Sequence, residues 1–174
     1  MIKEKSCGVV LFNRAADIRA ADIKAADETA IGGSATADIS AAQNKTQNEP
    51  KFLLLHYPQG HFDFPKGHSE KGESDIETVR RELFEETGIA DLKFYDGFKE
   101  KISYHFQQNG KIIYKDVFFF LAETNETEVK LSHEHIGSGW FTYKEARGKI
   151  TFNQSREVLD KAREFLYNTI KLTI

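Results

Sequence analysis

The sequence has a single cysteine, Cys7, no apolar run approaching the roughly 20 residues that a bilayer span needs, and no surplus of positive charge. Each shortage excludes something. One thiol cannot form an internal disulfide, which agrees with a reducing compartment. Its setting in the apolar run "CGVVLF" makes Cys7 a buried core group rather than a nucleophile. The lack of a long apolar segment speaks against a membrane protein, and the first residues, "MIKEKSCGVVLFNR", have neither the apolar region nor the cleavage site of a secretory signal. A cytoplasmic location is therefore the expectation. A formal net charge of −3 argues against general nucleic-acid binding, which relies on many lysine and arginine contacts to phosphate. An anionic substrate must then meet locally gathered positive charge or a metal ion.

What is present fits one ordinary domain spanning residues 1–174, because 174 residues with 40% hydrophobic and 12% aromatic content can build a packed interior. From Ala15 to about Pro50 the composition shifts: "AADIR", "AADIK" and "AADET" follow one another as near-copies, then Gly, Ser, Thr, Asn and Gln take over. A five-residue step turns a helix by about 140°, so Ile18 and Ile23 cannot form one apolar stripe, and the expectation is a mobile inserted loop. Closing a longer loop costs only about 0.6 kcal/mol per doubling, so a folded domain tolerates it.

Outside that insertion, apolar runs predict strands at Cys7 to Phe12, Phe52 to Tyr57, Ile102 to Phe106 and Ile112 to Ala122. Asn109-Gly110 lies between the last two and suits the positive φ angles of a tight hairpin, so they should pair antiparallel. Ser74 and Glu77 form a capping-box pattern, Ile76, Val79 and Leu83 an apolar stripe, and Gly88 a stop, which together predict a helix. A second helix is expected from about Gln154 to Tyr167, burying Val158, Leu159, Ala162, Phe165 and Leu166. The resulting fold class is α+β, a sandwich rather than a doubly wound parallel sheet.

The first helix carries "RRELFEET", which puts Glu82, Glu85 and Glu86 within an arc of about 100° beside the apolar stripe. Carboxylates so close repel one another, and hard oxygen ligands on a rigid element suit Mg²⁺ or Mn²⁺ bridging protein and phosphate. An acidic helix face is more often plain solvated surface, with Arg80 and Arg81 as its ion-pair partners. The preceding "FPKGHSEKGES" adds to the case for a site, although glycine and serine are common in any turn and the loop is a weak signal by itself. Its glycines let backbone approach an anion at a helix N-terminus, and Lys66, with His61 and His68 nearby, can offset phosphate charge.

Gly67, Glu73, Arg81, Glu82, Leu83, Glu85, Glu86, Gly88 and Ile89 reproduce, at every position and spacing, the pattern G-x5-E-x7-R-E-U-x-E-E-x-G-U of the Nudix hydrolases, where U is a bulky apolar residue. The resemblance implies a Nudix fold, a mixed β-sheet sandwiched between α-helices, and divalent-metal-dependent hydrolysis of a nucleotide polyphosphate. It implies Glu82, Glu85 and Glu86 as metal ligands, completed by the Gly67 carbonyl, with Arg81 and Glu73 as orienting partners. Beyond the box, "CGVVLF", "FLLLHY", "FPKGHSEKGE", "GFKEKISY" and "LSHEH" resemble the branch that splits dinucleoside tetraphosphates, diadenosine tetraphosphate giving ATP and AMP. In that branch Glu134 matches a loop glutamate that adds a metal contact or acts as base, and either Glu85 or Glu134 can take the proton. Tyr104 and Lys115 match positions that stack on a base and hold phosphates, and Tyr114 is a candidate second stacking face.

Other readings stay open at this point. A Nudix enzyme can act on RNA 5′ ends, diphosphoinositol phosphates or nucleoside triphosphates, the first being the one role for nucleic acid here. A non-catalytic nucleotide-binding module would usually lack a box glutamate, and none is lost. The "HEH" at His133 to His135 suggests zinc, but two imidazoles without a third soft ligand make a weak site, and an ordinary loop is the better account.

Overall fold

The computed structural model describes residues 2–14 and 49–171. The biased segment of about residues 15–50 lies outside them apart from its last two residues, and Pro50 already opens a strand. In chain order the described elements are β1 (Ile2–Arg14), β2 (Pro50–His56), β3 (Phe62–Asp63), β4 (Lys66–His68), α1 (Asp75–Thr87), β5 (Lys93–Gln108), β6 (Lys111–Glu123), β7 (Gly137–Thr142), α2 (Tyr143–Lys149) and α3 (Asn153–Lys171).

The sheet is mixed. β1 runs parallel to β6 from Ile2↔Ile113 to Phe12↔Glu123, while the other pairings are antiparallel. On its other edge β1 pairs with β4 at Ser6 to Gly8 and with β2 only at Phe12 to Arg14. β1 and β2 therefore splay apart, and Phe62 to His68 fills the wedge, β3 on β2 and β4 on β1. This wedge delivers Lys66 and Gly67 to the second half of α1, against Glu82 and Glu86.

Alternation along the strands sorts apolar side chains onto two faces. Cys7, Val9, Leu11 and Leu53 pack on Val79 and Leu83 of α1, whereas Val10, Phe12, Leu54, Val117, Phe119 and Leu121 pack on α2 and α3 through Ala146, Ile150, Val158, Leu159, Ala162 and Leu166. Fully burying one such large side chain contributes roughly 1.5–3 kcal/mol, so each face has its own reason to keep a helix layer. The α+β sandwich expected from sequence is what forms.

Local chemistry places the ends. Ser74 accepts from Glu77 N–H while Glu77 accepts from Ser74 N–H, and Gly88, at φ 73°, donates its N–H to Phe84 O. Asn109 (φ 50°) and Gly110 (φ 74°) close the β5–β6 hairpin, as expected. The short elements β3, β4, β7 and α2, and the first half of β5, are not legible from apolar runs. β3 and β4 are two and three residues long, β7 is interrupted by Gly137 and Gly139, and α2 is a single capped turn or two held by a Thr142–Glu145 box.

Candidate active site

The site is built where β4, α1 and the segment before β7 meet. Gly67 lies against Glu82: a Cβ on Gly67 would stand 1.8 Å from the Glu82 carboxyl carbon, so only glycine leaves that carboxylate where it is. Arg81 is the hub of the loop. It donates through Nε and Nη2 to the two oxygens of Glu73 (2.6 and 3.0 Å), and Nη2 also reaches His68 O (2.8 Å). Its Nη1 donates to Glu82 (2.8 Å) and Glu85 (3.2 Å). The fork-on-fork pairing with Arg81 holds the Glu73 carboxyl down to about 2, helped by the Glu70 amide and the Thr78 hydroxyl.

Glu86 is placed differently from the expectation of three carboxylates beside the apolar stripe: it is buried, at 5% exposure. Its main-chain oxygen accepts from Ser132 N–H (3.0 Å), so the segment before β7 closes over the helix and covers the side chain. The Lys66 amide donates to Oε2 (3.1 Å), and His135 Nε2 stands 3.3 Å from Oε1. Burial pushes the Glu86 carboxyl above the usual range, with the His135 ring opposing that shift.

Glu82, Glu85, Glu86 and Glu134 line one cleft of about 610 Å³ with Gly67, Lys66, His68 and Lys115. Lys115 faces the carboxylates across it, 3.1 Å from His68 Nε2 and 4.0 Å from Glu4, and burial lowers its ammonium pKa. Lys66 is less free than the sequence suggests, because its ammonium is held by buried Asp63 (3.1 Å) and the Tyr57 hydroxyl (3.1 Å). A second cavity of about 330 Å³ shares Lys66 and is lined by His61, Ile102, Tyr104 and Phe152. Tyr57 lies at the partition: its ring stacks on His61 at 4.5 Å and meets His135 edge-on at 4.6 Å.

The structure therefore brings together every expected site residue but one. Tyr114 lies on the face of the β5–β6 hairpin opposite Tyr104, since Tyr104 is paired with Lys115 and side chains alternate along a strand. Its ring packs near His105 (5.8 Å) and borders a hollow with Ile2 and Ile112, so it is not a second stacking face for Tyr104. Sequence reasoning misses Tyr57, Asp63, Phe152 and His135. Only His135 carries a visible signal, in "HEH", and that triplet reads as an ordinary loop until the fold sets it against Glu86.

The donors suit a hard divalent cation: four carboxylates and the Gly67 backbone offer oxygen alone, without thiolate. Their oxygens are spread along the cleft. Among the described residues no three His, Cys, Asp or Glu side chains form a ready coordination group, and Glu82 and Glu85 share Arg81 instead. The fit lies in the donor chemistry and in the bare backbone of Gly67, against which the Glu82 carboxylate lies.

A NUDIX domain model matches residues 37–162. The mouse bis(5′-nucleosyl)-tetraphosphatase [asymmetrical] is 36% identical over 125 residues, covering 68% of this chain and 82% of that protein. The Caenorhabditis elegans protein of the same name is 32% identical over 127 residues, covering 70% of this chain and 89% of its own. Among solved structures, a C. elegans Ap4A hydrolase binary complex superposes with a TM-score of 0.69 at 25% identity, covering 95% of this chain and 98% of that one. Among the described residues no helix is long and apolar enough to cross a membrane.

Proposed function

The chain belongs to the Nudix hydrolases, and from that premise we propose that it splits dinucleoside polyphosphates, diadenosine tetraphosphate into ATP and AMP. The observation that carries this reading is the pairing of an acidic cleft with an aromatic cavity across Lys66. One half takes a polyphosphate with its counter-ion, and the other takes a flat base. The relatives named as asymmetrical tetraphosphatases support the same substrate class.

Glu82, Glu85, Glu86 and Glu134, with the Gly67 carbonyl, would hold Mg²⁺ or Mn²⁺, which when bound supplies Lewis-acid stabilisation of charge on the phosphates. The chain's own residues do the rest. Arg81 fixes Glu82 and Glu85 through a guanidinium that Glu73 anchors in turn, so the carboxylates meet the substrate already oriented. Lys115 lies across the cleft to face phosphate oxygens, and Lys66, part-neutralised by Asp63, acts with His61 where the two cavities join. Tyr104 forms one wall for the base and Phe152 another, a base–aromatic contact being worth about 1–3 kcal/mol. Water adds to one phosphorus, the phosphoanhydride oxygen leaves with the longer chain, and Glu85 or Glu134 takes the proton. Both are exposed at the cleft, unlike Glu86, so both can exchange that proton with solvent.

Incubating the purified protein with diadenosine tetraphosphate and Mg²⁺ should yield ATP and AMP in equal amounts, and excess EDTA should abolish the reaction. Two equivalents of ADP, or turnover unchanged in EDTA, would overturn this reading. Glu86→Gln should lower kcat by about 100-fold or more, in line with the loss of a preorganised charged group.

A further inference from the structure

Glu86 and Glu134 come from separate parts of the chain, yet one imidazole lies between the segments that carry them. His135 has a side chain only 1% exposed, with Nδ1 3.1 Å from the Ser132 hydroxyl and Nε2 3.3 Å from Glu86 Oε1. The edge-on ring of Tyr57 abuts it, and Ser132 and His135 are joined by a backbone hydrogen bond (3.3 Å) while Ser132 N–H holds Glu86 O (3.0 Å). Ring, loop and helix end are thus fixed to one another.

His135 Nε2 is also one of the few buried polar atoms, among the described residues, without a well-aligned hydrogen bond. A buried nitrogen in that state is costly and calls for a reason. The neighbour that can supply one is Glu86 Oε1, within hydrogen-bond distance at 3.3 Å; the other oxygen already accepts from the Lys66 amide. The alternative proton placement is worse, because an unprotonated Nε2 would set the lone pair of a buried nitrogen against the lone pairs of a carboxylate.

We propose that His135 is a positioning residue: its Nε2–H donates to Glu86 Oε1 while Ser132 braces the opposite nitrogen, so that Glu86 and the adjacent Glu134 are held in one geometry for the cation. The inference rests on the metal-site reading above and adds to it the residue that orients the buried ligand from behind. Partners of this kind alter metal affinity or activity by about 10–100-fold when removed. Neither Arg81 nor Lys115 touches Glu86 in this way, so no other described side chain duplicates the role.

Two measurements test it without relying on turnover. In the metal-free wild-type protein, a long-range ¹H–¹⁵N spectrum of the imidazoles, with His135 assigned by its disappearance in His135→Gln, should show a proton on Nε2. A ring protonated on Nδ1 alone overturns the proposal. Titration with Mn²⁺ followed by electron paramagnetic resonance should show affinity about 10–100-fold weaker in His135→Leu. His135→Gln, whose amide N–H can occupy the place of Nε2–H, should recover most of that loss. Equal Mn²⁺ affinity in wild type and His135→Leu, or equal losses in Leu and Gln variants of unchanged Tm, also overturn it. Should His135→Leu fail to fold, the wild-type spectrum and His135→Gln decide the matter. Wild-type hydrolysis of diadenosine tetraphosphate is scored separately: its absence, with the Mn²⁺ pattern intact, sinks the substrate reading and leaves His135 in its role.

Discussion

At the scale of single residues, the site depends on what is small or fixed as much as on what is charged. Gly67 is the clearest case, because the space a methyl group would take is filled by the Glu82 carboxyl. Gly67→Ala should push that flexible carboxylate aside without disturbing the backbone. The expected result is a turnover loss of about 10–100-fold, similar to removing an orienting partner, with Tm moved by no more than about 3 °C. A fall in Tm as steep as that of a core truncation would show that the glycine serves folding instead. Arg81, Glu82, Glu85 and Glu86 are legible as a set because fixed spacing on a helix fixes their side, while Glu73, in the loop before the helix, joins them through its pairing with Arg81. Their individual states are not. Glu86 is buried because Ser132 and His135, some fifty residues further along the chain, fold over it, and no local pattern announces that.

At the scale of elements, α1 is readable from end to end, since its start and stop are set by residues adjacent in sequence. Ser74→Ala removes one half of the capping box and should destabilise the protein by about 1 kcal/mol, measured by urea unfolding at an unchanged m-value. Ser74→Gly should cost only a few tenths of that unit. No effect from the alanine change would mean that Glu77 alone, or water, satisfies the first amides. The β5–β6 hairpin is legible for the same reason, through Asn109-Gly110. β3 and β4 are not, because each exists only where the divergence of β1 and β2 opens a gap to fill. The hairpin also corrects the placing of Tyr114 on the base side. Once Tyr104 is opposite Lys115, period-two alternation turns Tyr114 the other way.

At the scale of the whole molecule, the helix layers are tied to the sheet by ion pairs as well as by apolar packing. Asp75, the first residue of α1, accepts from Lys5 of β1 and from Lys99 of β5 (2.8 Å), and Lys5 is the larger cause of a carboxyl held below its usual range. The sign follows from linkage: a carboxyl whose pKa is lower in the folded state stabilises that state above its unfolded pKa, and loses this contribution as pH falls through the lowered value. Asp75→Asn should therefore lower Tm at pH 7, and the gap from wild type should begin to close below about pH 4, where the unfolded aspartate is itself protonated. A gap that is constant from about pH 7 to about pH 3 would show that packing rather than charge is at work. The pair is largely exposed on the lysine side, so added salt should narrow the gap as well.

The sequence alone determined the family, the fold class and the chemical character of the site, because a capped helix with carboxylates at fixed offsets is set by local geometry that survives any context. Only tertiary structure decided which carboxylate is buried, that Lys66 is shared with Asp63, that Tyr114 faces away, and that His135 backs Glu86. Those outcomes depend on contacts between residues far apart in the chain, where burial and the pairing of charges are settled by what else the fold brings alongside.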